Sequence, residues 1–201
     1  RKSKKRISKK RVVKTNGSTL SSKIKKMRYN QKKQTVCIET LPDGKQSKLK
    51  VSFPIYFGLD DKRCEMVGVL SSILGGYMSS RLFMSLREEA GLAYVVKCGN
   101  TFYKDVGLIS ITAGVPNDKI TESIQIIMDE LKKIKNEELT KDELEKAVTN
   151  LTNKNVMSLE DTSNVSEYYG IQLLLQDKVE NFMKDQEKIK KVTIKDVKKM
   201  A

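Results

Sequence analysis

Histidine is absent from all 201 residues of the chain. Catalytic arrangements of the Ser-His-Asp and Cys-His types need an imidazole as general base, and many zinc sites need it as a ligand. The chain as given therefore cannot carry out these reactions by itself. Any chemistry of these classes would need groups from outside these residues.

Cysteine is scarce, and long apolar runs are missing. Cys37, Cys64 and Cys98 are odd in number, far apart and never in a CxxC pair. This pattern argues against a disulfide framework and indicates a reducing compartment with free or buried thiols. No run of about 18 apolar residues occurs, which excludes a membrane-spanning helix, and no secretory signal is visible. We expect an intracellular protein, located in the cytoplasm.

Acidic residues are missing from the first part of the chain. Residues 1–33 contain 15 of the 39 lysines and arginines and no aspartate or glutamate, so the remaining 24 basic residues face all 25 acidic ones. The basic character therefore belongs to a segment, which we interpret as a flexible arm or interdomain linker. Binding to nucleic acid or to an anionic surface, or a localisation signal, are the alternatives. The chain begins with Arg1, not methionine, so we expect it to be part of a longer protein.

Residues 34–201 have the pattern of an α+β domain in which helices cover one face of an antiparallel sheet. Turn residues and apolar periodicity place strands first, then two helices, a hairpin and a long helical run. The predicted strands are 34–40, 48–59, 92–103 and 106–115, the first two joined by a turn at 42–44, with Pro54 at an edge or bulge. The predicted helices are 60–76, one capped by Ser79 or Ser80 and ended by Gly91, and several after Pro116; Ile120, Ile124, Ile127, Leu131 and Ile134 form one stripe, and Thr140 and Glu143 a capping box.

Arg87 and Tyr94 are the candidate functional residues. Arg87 lies near the end of the second predicted helix, and Tyr94 follows the glycine at which that helix stops. A helix–strand junction of this kind can direct both side chains to one place. Both are hydrogen-bond donors, which can hold a peptide carbonyl and the oxyanion that it becomes in acyl transfer. From spacing alone, a surface arginine and a half-buried tyrosine remain the alternative.

Several separated motifs resemble one protein family. The segments "LGGYMSSRLFMSLREEAGLAYVV", "FYKDVGLISITAGV" and "LTKDELEKAVTNL" resemble, in order, the second half of the insulinase/pitrilysin zinc metallopeptidases. Within that family the chain is most similar to the branch that contains mitochondrial processing peptidase. The resemblance spans about Gln34 to Ala201, and we recognise no counterpart for residues 1–33.

The resemblance implies a C-terminal, metal-free domain of a zinc metalloendopeptidase that hydrolyses peptides in a closed chamber. In the family, two similar domains or subunits enclose the chamber, and the first carries the zinc ligands in an HxxEH motif. The second contributes an arginine and a tyrosine, which match Arg87 and Tyr94. By resemblance, Arg87 holds the substrate backbone and Tyr94 hydrogen-bonds the carbonyl oxygen or the tetrahedral intermediate.

The same resemblance sets the expected cofactor and partners. Zinc is expected in a preceding domain or partner subunit, and these residues are expected to bind none. The expected partners are that zinc-bearing half and a peptide substrate, in a homodimer or a heterodimer, with no membrane span. A mitochondrial matrix location is the alternative to the cytoplasm, and it rests on the analogy with the family alone.

Two other functions remain open at this point. Because no HxxEH motif occurs in these residues, the chain can instead be a non-catalytic peptide-binding or scaffold subunit of the same fold. The second alternative is nucleic-acid binding through residues 1–33.

Overall fold

A computed structural model of the chain describes residues 33–39, 44–136 and 139–201. Within them the chain forms three strands and seven helices. The strands are β1 (Gln46–Ile55), β2 (Val95–Phe102) and β3 (Gly107–Pro116). The helices are α1 (Cys64–Gly75), a π-helix (Phe83–Glu89), α2 (Ile120–Asn136), α3 (Lys141–Ser158), α4 (Thr162–Gln176), α5 (Phe182–Lys190) and α6 (Ile194–Met200), with a 3₁₀ turn (Asn117–Lys119) before α2.

The sheet is antiparallel throughout, with the order β1-β3-β2. β2 and β3 form the predicted hairpin, closed by a hydrogen bond from the Tyr103 amide to the Val106 carbonyl of 2.8 Å. Because β1 pairs only with β3 among the described strands, it is an edge strand. Pro54 therefore sits in an edge strand as predicted, where its missing N–H breaks no interior ladder.

One face of the sheet is buried under helices. Along β3, Ile111, Ala113 and Val115 are buried and alternate with less buried residues, and Val96 and Cys98 of β2 face the same side. α1 packs on β2 so closely that a Cβ atom added at Gly75 would lie 2.5 Å from the Cys98 amide nitrogen. The predicted α+β architecture, with helices on one face of an antiparallel sheet, is confirmed.

The hydrophobic core lies between this sheet face and the helices. Its largest fully buried side chains come from α1, the start and middle of the π-helix segment, β3, α2 and α6: Ile73, Leu74, Leu82, Leu86, Ile111, Ile127 and Val197. Burial of each side chain of this size contributes about 1.5–3 kcal/mol. The π-helix is thus attached to the core through its apolar side, and its opposite side remains accessible.

Three local predictions are wrong. Residues 34–39 are exposed and form neither helix nor strand, although their β-branched composition suits a strand. Part of the turn predicted to follow them, Pro42 and Asp43, lies outside the described residues. No side chain caps the helix after Ser80, whose hydroxyl donates instead to the Tyr77 carbonyl at 2.6 Å. In the predicted stripe of α2, Ile124 is the one exposed member, at 37%. The other members belong to the core or pack against it, as Ile126 does: Ile120, Ile127, Leu131 and Ile134.

The remaining sequence predictions concern the ends of helices and the basic segment. The capping box of Thr140 and Glu143 is present at the start of α3. No described helix is both long and apolar enough to cross a membrane. Except for Lys33, the segment 1–33 lies outside the described residues, so its role as an arm or linker stays a prediction.

Candidate functional site

Arg87 projects from a helix with π geometry. The Ala90 amide donates to the Ser85 carbonyl at 3.2 Å, five residues back instead of four. Leu82 and Leu86 are fully buried, so the apolar side of the helix is fixed on the core. The wider turn adds a residue between these anchors and the helix end, and it determines the direction in which Arg87 points. Short π segments are frequent at functional sites.

Gly91 turns the chain from this helix into β2. Its φ of +63° is in the left-handed region, which favours glycine. The amides of Leu92 and Ala93 both donate to the Leu86 carbonyl, at 2.8 and 3.2 Å, and Leu92 is buried. The predicted glycine stop with its apolar contact is therefore present. Tyr94 follows at once, with its amide bonded to the Gly114 carbonyl at 3.2 Å.

The structure brings Arg87 and Tyr94 together. Arg87 Nη1 donates to the Tyr94 carbonyl oxygen at 3.1 Å, and the guanidinium carbon lies 5.8 Å from the centre of the Tyr94 ring. The same carbon lies 4.9 Å from the centre of the Phe83 ring, and Nε lies 3.6 Å from a carboxylate oxygen of Glu88. Two aromatic rings and one carbonyl thus fix the guanidinium. Phe83 lies four residues before Arg87, and the helical spacing in the sequence already predicts that the two side chains are neighbours.

Both donors are accessible. The Tyr94 residue is 74% exposed and the Arg87 side chain is 42% exposed. The Tyr94 hydroxyl makes no hydrogen bond to any described residue, and neither does Nη2 of Arg87. A fixed guanidinium and a phenol beside it can donate to two oxygen atoms of one extended backbone. The pair can thus bind a peptide and stabilise negative charge on a carbonyl oxygen.

Arg81, two residues before the first residue of the π-helix, connects this segment to α3. Arg81 Nε lies 2.7 Å from one carboxylate oxygen of Glu143, and Nη2 lies 3.2 Å from the other. The carboxylate also accepts from the Thr140 amide and hydroxyl, each at 3.0 Å. Burial alone would raise the pKa of Glu143, but the hydrogen bonds from Arg81 and Thr140 outweigh burial and lower it.

The described residues do not fit a zinc ion. Histidine is absent, and the described residues contain no group of three or more cysteine, aspartate or glutamate side chains that could hold a metal. Burial raises the pKa of both the Cys64 and the Cys98 thiol to about 12. No step of a reaction can therefore be derived through a metal held by these residues.

Residues 6–151 match the model of a protein family described as the Peptidase M16 inactive domain. The chain belongs to this family. The match begins at residue 6, earlier than the resemblance from Gln34 onward predicted, and includes most of the basic segment. The basic residues obscured this part of the pattern, because no apolar periodicity distinguishes it.

Two relatives and one solved structure illustrate the similarity. An uncharacterized zinc protease of Streptomyces coelicolor is 37% identical over 125 residues, which cover 62% of this chain and 27% of the relative. A Bacillus subtilis protein named as a probable inactive metalloprotease is 24% identical over 154 residues, or 76% of this chain and 36% of the relative. A protease from Helicobacter pylori shares the fold at a TM-score of 0.68 and 23% identity, over 78% of this chain and 37% of that one.

The shares of each relative that are covered show how much of a relative this chain corresponds to. The chain spans about a third of the length of the relatives that it matches. It corresponds to the inactive, C-terminal type of M16 domain, and several relatives are named as zinc proteases.

Proposed function

We propose that this chain is the substrate-binding C-terminal domain of a zinc-dependent metalloendopeptidase that hydrolyses peptides in a closed chamber. The zinc ion and its HxxEH ligands come from a preceding domain or a partner subunit. This chain contributes Arg87 and Tyr94, which bind the peptide and stabilise charge on the reacting carbonyl.

The observation that carries the proposal is the geometry of the Arg87–Tyr94 pair. The guanidinium is held by a 3.1 Å hydrogen bond to the Tyr94 carbonyl and by the Phe83 ring, and the Tyr94 hydroxyl is exposed and unpaired among the described residues. Arg87 would therefore hold the substrate backbone without reorganising. Tyr94 would donate to the carbonyl oxygen as negative charge develops on it.

The test is Tyr94→Phe in the complete enzyme, assayed with a fluorogenic peptide. Removal of one donor to a developing oxyanion lowers kcat by about 100-fold, and KM is expected to change little. Tyr103→Phe is the matched control, since Tyr103 is also an exposed tyrosine but lies in the β2–β3 turn. Unchanged kcat for Tyr94→Phe would refute the assigned role.

A second test concerns the division of labour between the two halves. Residues 1–201 with added zinc are expected to hydrolyse no peptide, because the donor set for the metal is missing. Addition of the zinc-bearing half should restore hydrolysis. Metal-dependent cleavage by residues 1–201 alone would contradict the proposal.

A non-catalytic peptide-binding or scaffold domain of the same fold is the second candidate. The relative named as a probable inactive metalloprotease, which covers 76% of this chain, favours it. The deciding observation is the sequence that precedes Arg1 in the protein, or that of its partner subunit. An HxxEH motif there supports the peptidase, and its absence from both supports the scaffold.

Compartment and partners follow from the same proposal. All three cysteines are unpaired in the structure, which supports a reducing, intracellular compartment such as the cytoplasm. The partners are the zinc-bearing half, in a homodimer or a heterodimer, and the peptide. Nucleic-acid binding through residues 1–33 is the less favoured alternative, and a salt-dependent shift assay with and without those residues tests it.

A further inference from the structure

The face of the sheet that points away from the helices is basic. Three exposed lysines alternate along the strands with more buried residues: Lys48 and Lys50 of β1 and Lys97 of β2. No residue in β1, β2 or β3 is aspartate or glutamate. We call Lys48, Lys50, Lys97 and Thr112 the basic sheet face.

The strand register places these residues in two adjacent rows. Lys50 pairs with Thr112, which pairs in turn with Lys97, so two lysines flank one threonine across the sheet. Strand spacing puts the two lysine backbones about 10 Å apart. Lys48 and Lys50, two residues apart on one strand, are separated by about 7 Å. The face thus presents a regular array of positive charge.

The three lysines have no acidic partner among the described residues. None of them makes an ion pair or a side-chain hydrogen bond with any described residue, whereas Lys119, Lys146 and Lys188 are each paired with a carboxylate. Residues 34–201 together carry a net charge of only −1. The positive charge is therefore local to this face and does not reflect the overall composition of the domain.

We propose that the basic sheet face binds an extended peptide segment that carries acidic side chains at alternate positions. In an extended chain, side chains two residues apart point the same way at a spacing of about 7 Å, which equals that of Lys48 and Lys50. Lys97 lies three residues after Tyr94, about 10 Å along the chain, and strand alternation puts it on the opposite side of the strand. The basic sheet face is therefore a surface apart from the candidate site, and the inference goes beyond the proposed function by assigning this face an acidic peptide segment.

A peptide fits this face better than a nucleic acid does. Single-stranded nucleic acids bind where aromatic side chains stack on the bases within a basic groove. The outward positions of the strands contain Val95, Gly99, Ser110 and Gly114 beside the lysines and Thr112, and no tyrosine or phenylalanine. Threonine and lysine can instead hydrogen-bond carboxylates and peptide groups.

The test follows amide resonances of the ¹⁵N-labelled full chain at low ionic strength. The probe is an octapeptide that alternates glutamate and threonine, and its control replaces each glutamate by glutamine. The glutamate peptide is expected to shift the amides of Ser110, Thr112 and Gly114, and the glutamine peptide is not. Chemical shift changes at these three amides would show binding at the sheet and distinguish it from binding to the basic segment 1–33.

Two triple variants make the test specific. Lys48→Gln, Lys50→Gln and Lys97→Gln together are expected to weaken binding by about tenfold, since each exposed ion pair contributes a factor of about two. The control changes three exposed lysines of the helical layer by the same net charge: Lys184→Gln, Lys190→Gln and Lys191→Gln. It is expected to change the Kd by less than about twofold, and the amide spectra show whether each variant is folded.

Three results would overturn the proposal. The first is that the glutamine peptide binds as tightly as the glutamate peptide. The second is that both triple variants weaken binding equally. The third is that a dT octamer binds more tightly at the same β3 amides, which would indicate a nucleic-acid surface. The outcome is separable from that of the proposed function. If the glutamate peptide binds to the basic sheet face but Tyr94→Phe leaves kcat unchanged, the proposal for the face stands and the catalytic role of Tyr94 is refuted. If the glutamate peptide does not bind to the face but Tyr94→Phe lowers kcat, only the proposal for the face is refuted.

Discussion

Replacement of Glu143 by glutamine tests how the candidate site is supported. The Glu143 carboxylate joins Arg81, two residues before the first residue of the π-helix, to Thr140 at the start of α3. Glutamine keeps the length of the side chain and can still accept a hydrogen bond in the capping box. It removes the negative charge, so the change isolates the charged contact to Arg81.

The expected loss of stability follows from the geometry of that contact. The two-point contact has N–O distances of 2.7 and 3.2 Å, and the side chains of Arg81 and Glu143 are only 14% and 27% exposed. Charge-assisted hydrogen bonds of this kind are worth about 1.5–3 kcal/mol. Because part of the cap remains, we expect Glu143→Gln to lower the free energy of unfolding by about 2 kcal/mol. For a chain of this length, that corresponds to a fall in Tm of about 4–8 °C.

The effect should depend on pH with a definite sign. The folded-state pKa of Glu143 is lowered from an ordinary value of 4.5. The charge therefore contributes stability that is fully present above pH 4.5 and is lost as the pH falls through the folded-state pKa. The difference in stability between the wild type and Glu143→Gln should be constant near neutral pH and narrow on acidification below 4.5.

Thermal unfolding followed by circular dichroism, repeated over a pH series, measures this prediction. Asp142→Asn is the control, because Asp142 is the adjacent residue and its pair with Lys146 is an exposed one, with the aspartate side chain 69% exposed. The control should lose about 0.5 kcal/mol or less. An equal loss in both variants, or a difference for Glu143→Gln that persists unchanged in acid, would show that the contact to Arg81 does not support the helix.

Three further substitutions test the packing around the site. Gly75→Ala should cost about 3 kcal/mol, since its Cβ would lie 2.5 Å from the Cys98 amide nitrogen and α1 would have to move; a loss below 1 kcal/mol in urea unfolding would contradict this packing. Gly91→Ala should cost only about 1 kcal/mol from the left-handed φ of +63°, because its Cβ meets no atom within 4 Å; a larger loss would indicate a steric cause. Tyr168→Phe should cost about 1 kcal/mol by removing the hydrogen bond to α5, whereas Tyr169→Phe should be neutral in the same assay; equal effects would refute the assigned bond.

The proximity of Arg87 and Tyr94 could be predicted because the relevant signals are local. A glycine after an amphipathic helix, followed by an apolar residue, indicates a left-handed stop, and such a stop brings neighbouring segments together. The π geometry could not be predicted in this way. It depends on how Leu82 and Leu86 seat in the core, which involves residues distant in the chain.

The prediction of a strand at 34–39 is wrong for the opposite reason, because strand formation does not depend on local sequence alone. The β-branched residues of this segment are suited to a strand, but strand formation requires a partner with free backbone groups. β1 and β2 are the outer strands of the described sheet, and residues 34–39 pair with neither of them. Local composition therefore could not decide whether this segment joined the sheet.

The amino-acid sequence by itself determined the α+β class, the order of the elements, the absence of a zinc donor set and the two candidate donors, because each depends on residue type or on short-range periodicity. Only the tertiary structure decided the surroundings of Arg87 and the basic sheet face. Lys50 and Lys97 are 47 positions apart, and they flank Thr112 only because the antiparallel register of three strands aligns them. Register depends on pairing between distant segments, which no local pattern contains.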